Sequence, residues 1–209
     1  MRSVTINFAG FEYELFENGD MFSTRFGRKR KKASTSSSGY KHYGFYDPMD
    51  RRIRFYNVHK LVATHFVENP CPDRFTDAHH IDHDKTNNDA SNLMWVNRRL
   101  NKLADPSRNA YFYRKVRKWQ ARVAQISLGL YDTQTEARNI ARNFKRTLFY
   151  ATYNEYTGSD PTQAIFDTNP RDQPRLFDDV HIETYLERVR EEEGRPDNGV
   201  HTEFLPPCA

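Results

Sequence analysis

Short runs of apolar residues at alternate positions dominate the start of the chain and favour strands there. The runs cover residues 4–8, 11–15, 40–46 and 53–58. A period of two residues is typical of strands that bury one face, and Asn18-Gly19-Asp20 between the runs is a turn signal. The pattern predicts a β-rich region over residues 1–57.

A strongly basic segment interrupts these strands. Five consecutive cations are followed by the stretch ASTSSSG; the cations are Arg28, Lys29, Arg30, Lys31 and Lys32. Because such a segment has little apolar surface to bury, we expect it to be a mobile loop. A loop of this kind can contact phosphates, act as a nuclear address or simply be solvated.

Charge is divided unevenly along the chain. The net charge is +4, yet residues 151–209 contain 5 Lys or Arg against 13 Asp or Glu, whereas residues 1–150 contain 27 against 15. A basic body attracts polyanions, of which nucleic acid is the usual one. The acidic extension could fold against that body, restrain DNA binding by mimicry or bind a protein partner.

Helical patterns appear later in the chain. Residues 59–67 are expected to form a short helix. Thr133 and Glu136 have the spacing of a capping box, followed by apolar residues at helical intervals. Upstream of that cap, strands are expected over 110–114, 119–126 and 128–131. Residues 106–150 are therefore expected to form three strands and a helix, and one further helix is expected over 178–193.

The segment DAHHIDHDKTNNDASNLMWVNRRLN, at 77–101, contains side chains suited to phosphodiester hydrolysis. His79 and His80 are adjacent, Asn92 follows His80 by twelve residues, and Asn101 comes nine residues later. Such hydrolysis needs a base for water and a cation at the phosphate. A histidine can be the base because its ordinary pKa is near neutrality. Adjacent strand residues point to opposite faces, so sharing one site requires distortion of the strand.

This segment resembles the HNH motif of ββα-metal nucleases, most closely the subgroup of phage and intron homing endonucleases. The stretch VHKLVATHFV at 58–67 is similar to the helix before that motif, and Asn87-Asn88 with SNLMWV at 91–96 is similar to its "NN…NLxWV" segment. The strand-rich N-terminus resembles the NUMOD4-like module that often precedes it. The resemblance covers roughly residues 10–104.

The resemblance implies a role for each matching residue. His80 occupies the position of the general base, and Asn92 that of the middle asparagine, which braces the loop by hydrogen bonds. His79 and Asn101 occupy the metal-ligand positions. Asp105, one helical turn after Asn101, could add an oxygen ligand.

One divalent cation is implied, with Mg²⁺ expected first. Many members of the family carry Asp or Asn where this chain has His79, and imidazole is a softer ligand than carboxylate. Mn²⁺, Ni²⁺ or Zn²⁺ therefore remain possible. His83 stands where glycine is common, so the loop geometry can differ.

A second resemblance follows the HNH motif. NAYFYR at 109–114, KWQARV at 118–123 and LGLYDT at 128–133 are similar to an AP2-type DNA-binding domain, in which one helix supports a three-stranded sheet in the major groove. Arg and Trp side chains can read or flank base edges there. The candidate contacts are Arg114, Arg117, Lys118, Trp119, Gln120 and Arg122. The alternative is an amphipathic hairpin with solvated basic side chains.

These patterns predict an α+β protein in four parts. We expect a β-rich DNA-docking region at 1–57, an HNH nuclease domain at 58–105, an AP2-like domain at 106–150 and an acidic extension at 151–209. Such an HNH homing endonuclease would hydrolyse double-stranded DNA at a preferred site, with one nick per monomer. A double-strand break would need a dimer or two sequential nicks.

Two other functions stay open, and both keep the DNA partner. One is a non-specific HNH nuclease, and the other is a DNA-binding regulator with a decayed nuclease site. No apolar run approaches the ~20 residues that span a bilayer, and the N-terminus lacks a signal-peptide pattern. We expect no membrane partner and a cytoplasmic location, which is the host-cell cytoplasm if a phage encodes the protein.

Overall fold

Residues 1–57 form two small antiparallel sheets. The first has strand order β1-β2-β3-β4 and the second β5-β6-β7. The strands are β1 (Ser3–Phe8), β2 (Phe11–Phe16), β3 (Met21–Ser23), β4 (Lys29–Arg30), β5 (Ser34–Thr35), β6 (Lys41–Asp47) and β7 (Arg52–Asn57). The computed structural model describes residues 1–25, 27–105, 109–158 and 179–194, and in the last range the side chains of 181–192. The predicted β-rich N-terminal region is confirmed.

The basic segment is not the mobile loop that its composition predicts. Arg30 pairs with Phe22 across β3 and β4, and Ser34 pairs with His42 across β5 and β6. These backbone pairings join the segment to both sheets, so its polar backbone groups find partners without a buried apolar side chain. Pairing between distant parts of the chain leaves no local signal in the sequence.

The elements of the predicted HNH motif follow directly. They are helix α1 (Val58–Phe66), strand β8 (Asp77–His80), a single 3₁₀ turn (Ala90–Asn92), strand β9 (Leu93–Val96) and helix α2 (Arg98–Ala104). Strands β8 and β9 are antiparallel, with His80 opposite Leu93 and His79 opposite Met94. The helix predicted over 59–67 is confirmed as α1.

The N-terminal sheets and the motif share one apolar core. Ile6, Leu15, Met21, Tyr43, Phe45, Val58, Val62, Ala63, Ala90 and Leu93 are all buried in it. Burial of apolar surface is the main stabilising contribution to such a core. The strands before α1 and the strands of the motif therefore depend on each other for burial. By its contacts the chain divides into two units, Met1–Arg98 and Arg99–Ala209, and this core lies in the first.

The turn at Asn18-Gly19-Asp20 packs directly against the motif. Gly19 has φ of +85°, and a Cβ on it would lie 2.8 Å from Val58 Cγ1 and 3.2 Å from Asn88 Cβ. The Tyr43 hydroxyl donates a hydrogen bond to the Gly19 carbonyl at 2.9 Å. Glycine is therefore required here by both conformation and space.

The second unit contains a three-stranded antiparallel sheet and two long helices. The order of the strands is β10-β11-β12. The elements are β10 (Ala110–Tyr113), β11 (Lys118–Val123), β12 (Ile126–Tyr131), α3 (Gln134–Thr157) and α4 (Asp179–Gly194). The mixed α+β composition of the chain is confirmed, as are the three strands and the helix expected after residue 106.

One strand boundary predicted from the sequence is wrong. Strand β11 ends at Val123 and β12 begins at Ile126, rather than β11 continuing to residue 126. Ala124 and Gln125 form the turn, with φ of 47° and 69°. Neither residue type signals a left-handed turn, because both have a Cβ that disfavours positive φ.

Helix α3 begins and ends with recognisable caps. Thr133 Oγ1 accepts a hydrogen bond from the Glu136 backbone N–H at 3.2 Å, as the capping-box spacing predicts. Gly158, in the left-handed conformation, ends the helix. The helix expected over 178–193 is confirmed as α4, and Arg190 on it forms a bidentate ion pair with Glu155 on α3 at 2.7 and 3.0 Å. In the described part of the chain, no helix is both long and apolar enough to cross a membrane.

A paired substitution tests the packing at Gly19. In Gly19→Ala the new methyl group meets Val58 and Asn88 and the positive φ is disfavoured, so we expect a loss of about 2–4 kcal/mol in the free energy of unfolding. Gly10→Ala is the control, because Gly10 has φ of +82° with nothing within 4 Å, and it should lose only about 1–2 kcal/mol. Urea unfolding measures both, and equal losses would contradict the close packing.

Candidate active site

The two adjacent histidines lie on a regular strand. His80 is buried, 4% exposed, whereas His79 is partly exposed. The distortion of the strand expected from their adjacency is not observed, because both residues pair in register with β9. Their side chains therefore leave opposite faces of β8.

Asn88 determines which nitrogen of His80 carries the proton. Its Nδ2 donates to the Thr86 carbonyl at 3.1 Å, so Oδ1 faces the ring and lies 3.1 Å from His80 Nε2. An amide oxygen only accepts, so Nε2 is the protonated nitrogen of neutral His80 and Nδ1 holds the lone pair. The arrangement leaves Nδ1 as the basic atom. The sequence pattern predicts no separate role for Asn88, although the Asn87-Asn88 pair is part of the resemblance to the HNH motif.

His59 and Tyr40 pack around the same ring. The centroid of His59 lies 4.9 Å from that of His80 and 5.0 Å from that of Tyr40. His59 is buried, and its Nδ1 has no hydrogen-bond partner in the described residues. Burial, with smaller contributions from His80 and Lys60, lowers the pKa of His59 to about 4. His59 is therefore neutral at pH 7.

Asn92 joins the two ends of the loop between β8 and β9. Its Oδ1 accepts from the Asp82 backbone N–H at 3.1 Å, and its Nδ2 donates to Asp82 Oδ1 and to the Asn87 carbonyl, both at 2.9 Å. Asn87 Nδ2 donates to the other oxygen of Asp82 at 2.7 Å. Burial acts to raise the pKa of Asp82, but these hydrogen bonds, one from the Asp84 backbone and the charge of His80 together lower it.

His83 adopts a conformation that is usual for glycine. Its φ is 63°, as its position at a common glycine of the family suggests. Its ring lies beside that of His79, with centroids 5.3 Å apart. The sequence pattern predicts no site role for His83, because its position beside His79 depends on the turn of the loop.

The residues predicted to hold a metal lie on different elements. His79 is on β8 in the first unit, and Asn101 and Asp105 lie on the exposed side and at the end of α2 in the second. The described residues contain no group of three or more His, Cys, Asp or Glu side chains that could hold a metal ion. By donor chemistry, an imidazole suits Zn²⁺ or Ni²⁺ and an amide oxygen suits Mg²⁺, so each residue is able to bind a divalent cation.

The basic segment of the N-terminal region is largely engaged within the first unit. Arg28 pairs with Glu14 at 2.9 Å and lies over the Phe22 ring at 4.3 Å. Arg30 pairs with Asp20 at 2.6 Å, and Lys31 Nζ lies over the Phe45 ring at 4.7 Å. The side chains of Lys29 and Lys32 are exposed, and neither side chain makes a hydrogen bond or ion pair with the described residues.

The sheet of the second unit has one face covered by α3 and one face open. Ala121, Val123 and Ile126 are buried on the covered face. The Trp119 ring also contacts Phe112 there in a tilted arrangement, with centroids 5.2 Å apart. The open face carries the residues of β11 that alternate with the buried ones, together with their partners on the neighbouring strands. These residues are Tyr111, Tyr113, Lys118, Gln120, Arg122, Ser127 and Leu130.

The residues predicted to contact DNA are thus divided between the two faces of the sheet and one of its turns. Lys118 and Arg122 lie on the open face, Trp119 lies on the covered face, and Arg114 and Arg117 lie in the exposed turn between β10 and β11. Lys118 also pairs with Asp132 at 3.2 Å. Two exposed tyrosines on the open face, Tyr111 and Tyr113, were not among the contacts predicted from the sequence. The period of two, counted from buried Ala121, would have assigned them to that face.

Comparison with known proteins gives a partial match. The chain is 32% identical over 94 residues to the DNA endonuclease I-HmuI of Bacillus phage SP01, covering 44% of this chain and 51% of that protein. A solved structure described as "DNA binding and cleavage by the HNH homing endonuclease I-HmuI" is 28% identical, with a TM-score of 0.39 and coverage of 49% of this chain and 56% of that one. No protein-family profile matches the chain.

The chain thus spans about half the length of the proteins it matches. The sequence similarity supports a relation to the HNH endonucleases, in agreement with the residues of the motif. It does not by itself show an AP2-type or a NUMOD4-like module.

The low pKa of His59 predicts a pH-dependent stability. Between about pH 6.5 and pH 4 the unfolded chain binds a proton at His59 that the folded protein does not, so the stability falls as the pH falls through this range. By pH 5 the loss from this residue is on the order of 2 kcal/mol. His59→Phe, or His59→Gln if Phe does not fit, should remove that part of the loss.

Urea unfolding at pH 7 and pH 5 measures the effect. The difference between wild type and variant isolates His59, because the other titrating groups contribute to both. If the variant loses as much stability as the wild type between these pH values, His59 is not held neutral.

Proposed function

We propose that the protein is a divalent-metal-dependent DNA endonuclease of the HNH type, with His80 as the general base. The observation that carries the proposal is the hydrogen bond between His80 Nε2 and Asn88 Oδ1. It makes Nδ1 the basic nitrogen of a histidine that occupies the base position of the motif. The similarity to an HNH homing endonuclease over 94 residues supports the same reaction class.

In the proposed reaction His80 Nδ1 takes a proton from a water molecule. The resulting hydroxide forms a bond to phosphorus, and the bond from phosphorus to the 3′ oxygen breaks. That oxygen then takes a proton from solvent, which leaves a 5′-phosphate and a 3′-hydroxyl. Asn88 holds the imidazole in the required tautomer, and Asn92 holds the loop that carries Asn88.

His79 and Asn101 are the residues that would hold the metal. Because His79 and His80 leave opposite faces of β8, the phosphate would have to lie at the end of that strand, where His80 is the last residue. When bound, a divalent cation stabilises negative charge on the phosphate and on the departing oxygen. Mg²⁺ is the expected ion because only one of the two protein donors is an imidazole and oxygen ligands favour Mg²⁺. Mn²⁺, Ni²⁺ and Zn²⁺ follow as alternatives, since the imidazole of His79 is softer than a carboxylate.

We assign binding and site preference to the second unit. The open face of its sheet combines exposed aromatic rings with Arg122, Lys118 and Gln120, side chains that can stack, pair with phosphates and read base edges. Phosphate contacts would give affinity for any double-stranded DNA, whereas base contacts would favour one site. One active site per chain corresponds to one nick per monomer.

Substitution of His80, the proposed general base, tests the nuclease proposal. His80→Ala should lower the rate of supercoiled-plasmid nicking about 10²- to 10⁴-fold, because a general base contributes on that order. Affinity for DNA should stay within a few-fold. His65→Ala is the matched control, since His65 is an exposed histidine on α1, and it should nick at the wild-type rate.

Three further readouts decide between the related functions. A chelator should abolish nicking, and Mg²⁺ should restore it. Nicking by His80→Ala at the wild-type rate would overturn the assignment of the base. Sequencing of the cleaved ends should give one dominant site, whereas scattered ends would indicate a non-specific nuclease.

The open face of the sheet has its own test. Arg122→Gln should weaken binding of the preferred site by about 1–3 kcal/mol, or roughly five- to 150-fold, if the guanidinium reads a base. Arg138→Gln is the control, because Arg138 is an exposed arginine on α3 rather than on the sheet. Binding by fluorescence anisotropy at one fixed salt concentration measures both variants, and equal losses would exclude the open face as the reading surface.

A further inference from the structure

A basic cavity lies beside the candidate active site, within the first unit. Its volume is about 330 Å³, and it is bounded by the basic segment, the turn at Asn18-Gly19-Asp20 and the loop between β8 and β9. The residues that matter here are Arg30, Lys31, Lys32, Lys41, Thr86 and Asn88. No residue of the proposed reaction other than Asn88 lines it, so the cavity is a separate site.

The lining has a strong excess of positive charge. Four cationic residues and one carboxylate, Asp20, line it, and that carboxylate is already paired with Arg30 at 2.6 Å. A concave surface lined by one sign of charge concentrates the electrostatic potential and attracts counter-ions. The charge selects an anionic ligand.

Three of the four cations are held in place by the protein. Asp20 holds Arg30, and Lys41 Nζ donates to the Thr86 carbonyl at 2.9 Å, with two of its three N–H groups left over. Lys31 Nζ lies over the rings of Phe45 and Tyr13 at 4.7 and 5.3 Å. Burial lowers the pKa of Lys31, as expected for an ammonium group with little water around it. Cations fixed in this way lose little side-chain freedom when an anion binds.

The fourth cation, Lys32, is available to a ligand. Its side chain is exposed and makes no hydrogen bond or ion pair with the described residues. Lysine is a common phosphate-binding residue that acts as a point charge. The volume of the cavity, about 330 Å³, exceeds that of a lone phosphate, since one water occupies about 30 Å³. It suits a phosphate with its attached sugar.

The cavity and His80 share one side chain. Asn88 lines the cavity and accepts from His80 Nε2 at 3.1 Å, while Thr86 joins Lys41 to Asn88 because its carbonyl accepts from both. A ligand in the cavity therefore lies against the amide that orients the ring. A phosphate bound at this position would fix the position of the DNA strand relative to His80, the proposed general base.

We propose that this cavity binds a phosphate group of the DNA backbone. The cavity has room for about one nucleotide. The proposal rests on the proposed nuclease function for the identity of the strand, but not for the binding of the anion. A free phosphate or nucleotide has the same chemistry and is the second source that the experiment must separate.

The first arm of the test needs no DNA. Pyrophosphate is titrated into the ¹⁵N-labelled full chain, and we expect saturable shifts at the backbone amides of Gly19, Thr86 and Asn88. Lys32→Gln should weaken the affinity at least fivefold. Lys29→Gln, which removes an exposed lysine of the same segment that does not line the cavity, should change it less than twofold. No saturable shift, or equal losses in the two variants, overturns the proposal.

The second arm identifies the source of the phosphate. Single methylphosphonates, which are uncharged, are placed along the DNA duplex and binding is measured for wild type and Lys32→Gln. We expect one position at which the methylphosphonate weakens wild-type binding several-fold but has no added effect in the variant. If pyrophosphate binds and no such position exists, the DNA backbone is excluded and the site belongs to a free anion.

The two proposals fail in different ways. If His80→Ala nicks DNA normally while Lys32-dependent pyrophosphate binding is observed, the nuclease assignment is wrong and the anion site stands. If nicking depends on His80 and neither arm depends on Lys32, the anion site is wrong and the nuclease assignment stands.

Discussion

The hydrogen bonds of Asn92 hold together the loop on which the candidate site depends. Residues 82–87 are exposed and polar, so apolar burial cannot fix their conformation. The Asn92 amide instead connects Asp82 at the start of the loop with Asn87 near its end. With the loop closed in this way, Asn88 meets the His80 ring and the Thr86 carbonyl meets Lys41.

The N-terminal sheets support this loop from the other side. Besides the close approach of Gly19, the Ala90 backbone N–H donates to the Glu17 carbonyl at 2.8 Å. The loop is thus tied to the turn between β2 and β3 as well as to its own strands. Because interiors are close-packed, a shift of the turn would be transmitted to Asn88 and so to His80. The N-terminal strands position the candidate site as much as the motif itself does.

Local sequence signals predict many of the strands and helices, but they do not report contacts between segments that are far apart in the chain. Alternation identified the N-terminal strands, and the spacing of Thr133 and Glu136 identified the start of α3. The role of Asn88 and the engagement of Arg30 depend on contacts between segments far apart in the sequence, which no local pattern reports. The turn at Ala124-Gln125 was missed for a different reason, since its residues carry no preference for positive φ.

The position of Gly19 has a consequence for recombination between this chain and its relatives. A chimera that joined a foreign N-terminal region at residue 57 would keep every residue of the HNH motif but replace the turn that contacts Val58 and Asn88. Any side chain arriving at position 19 would push against Val58 and against the Cβ of Asn88, the residue whose amide holds His80. The smallest segment that can be exchanged intact is therefore residues 1–105, the N-terminal region together with the motif, and homologous crossovers inside that span need a glycine at this turn.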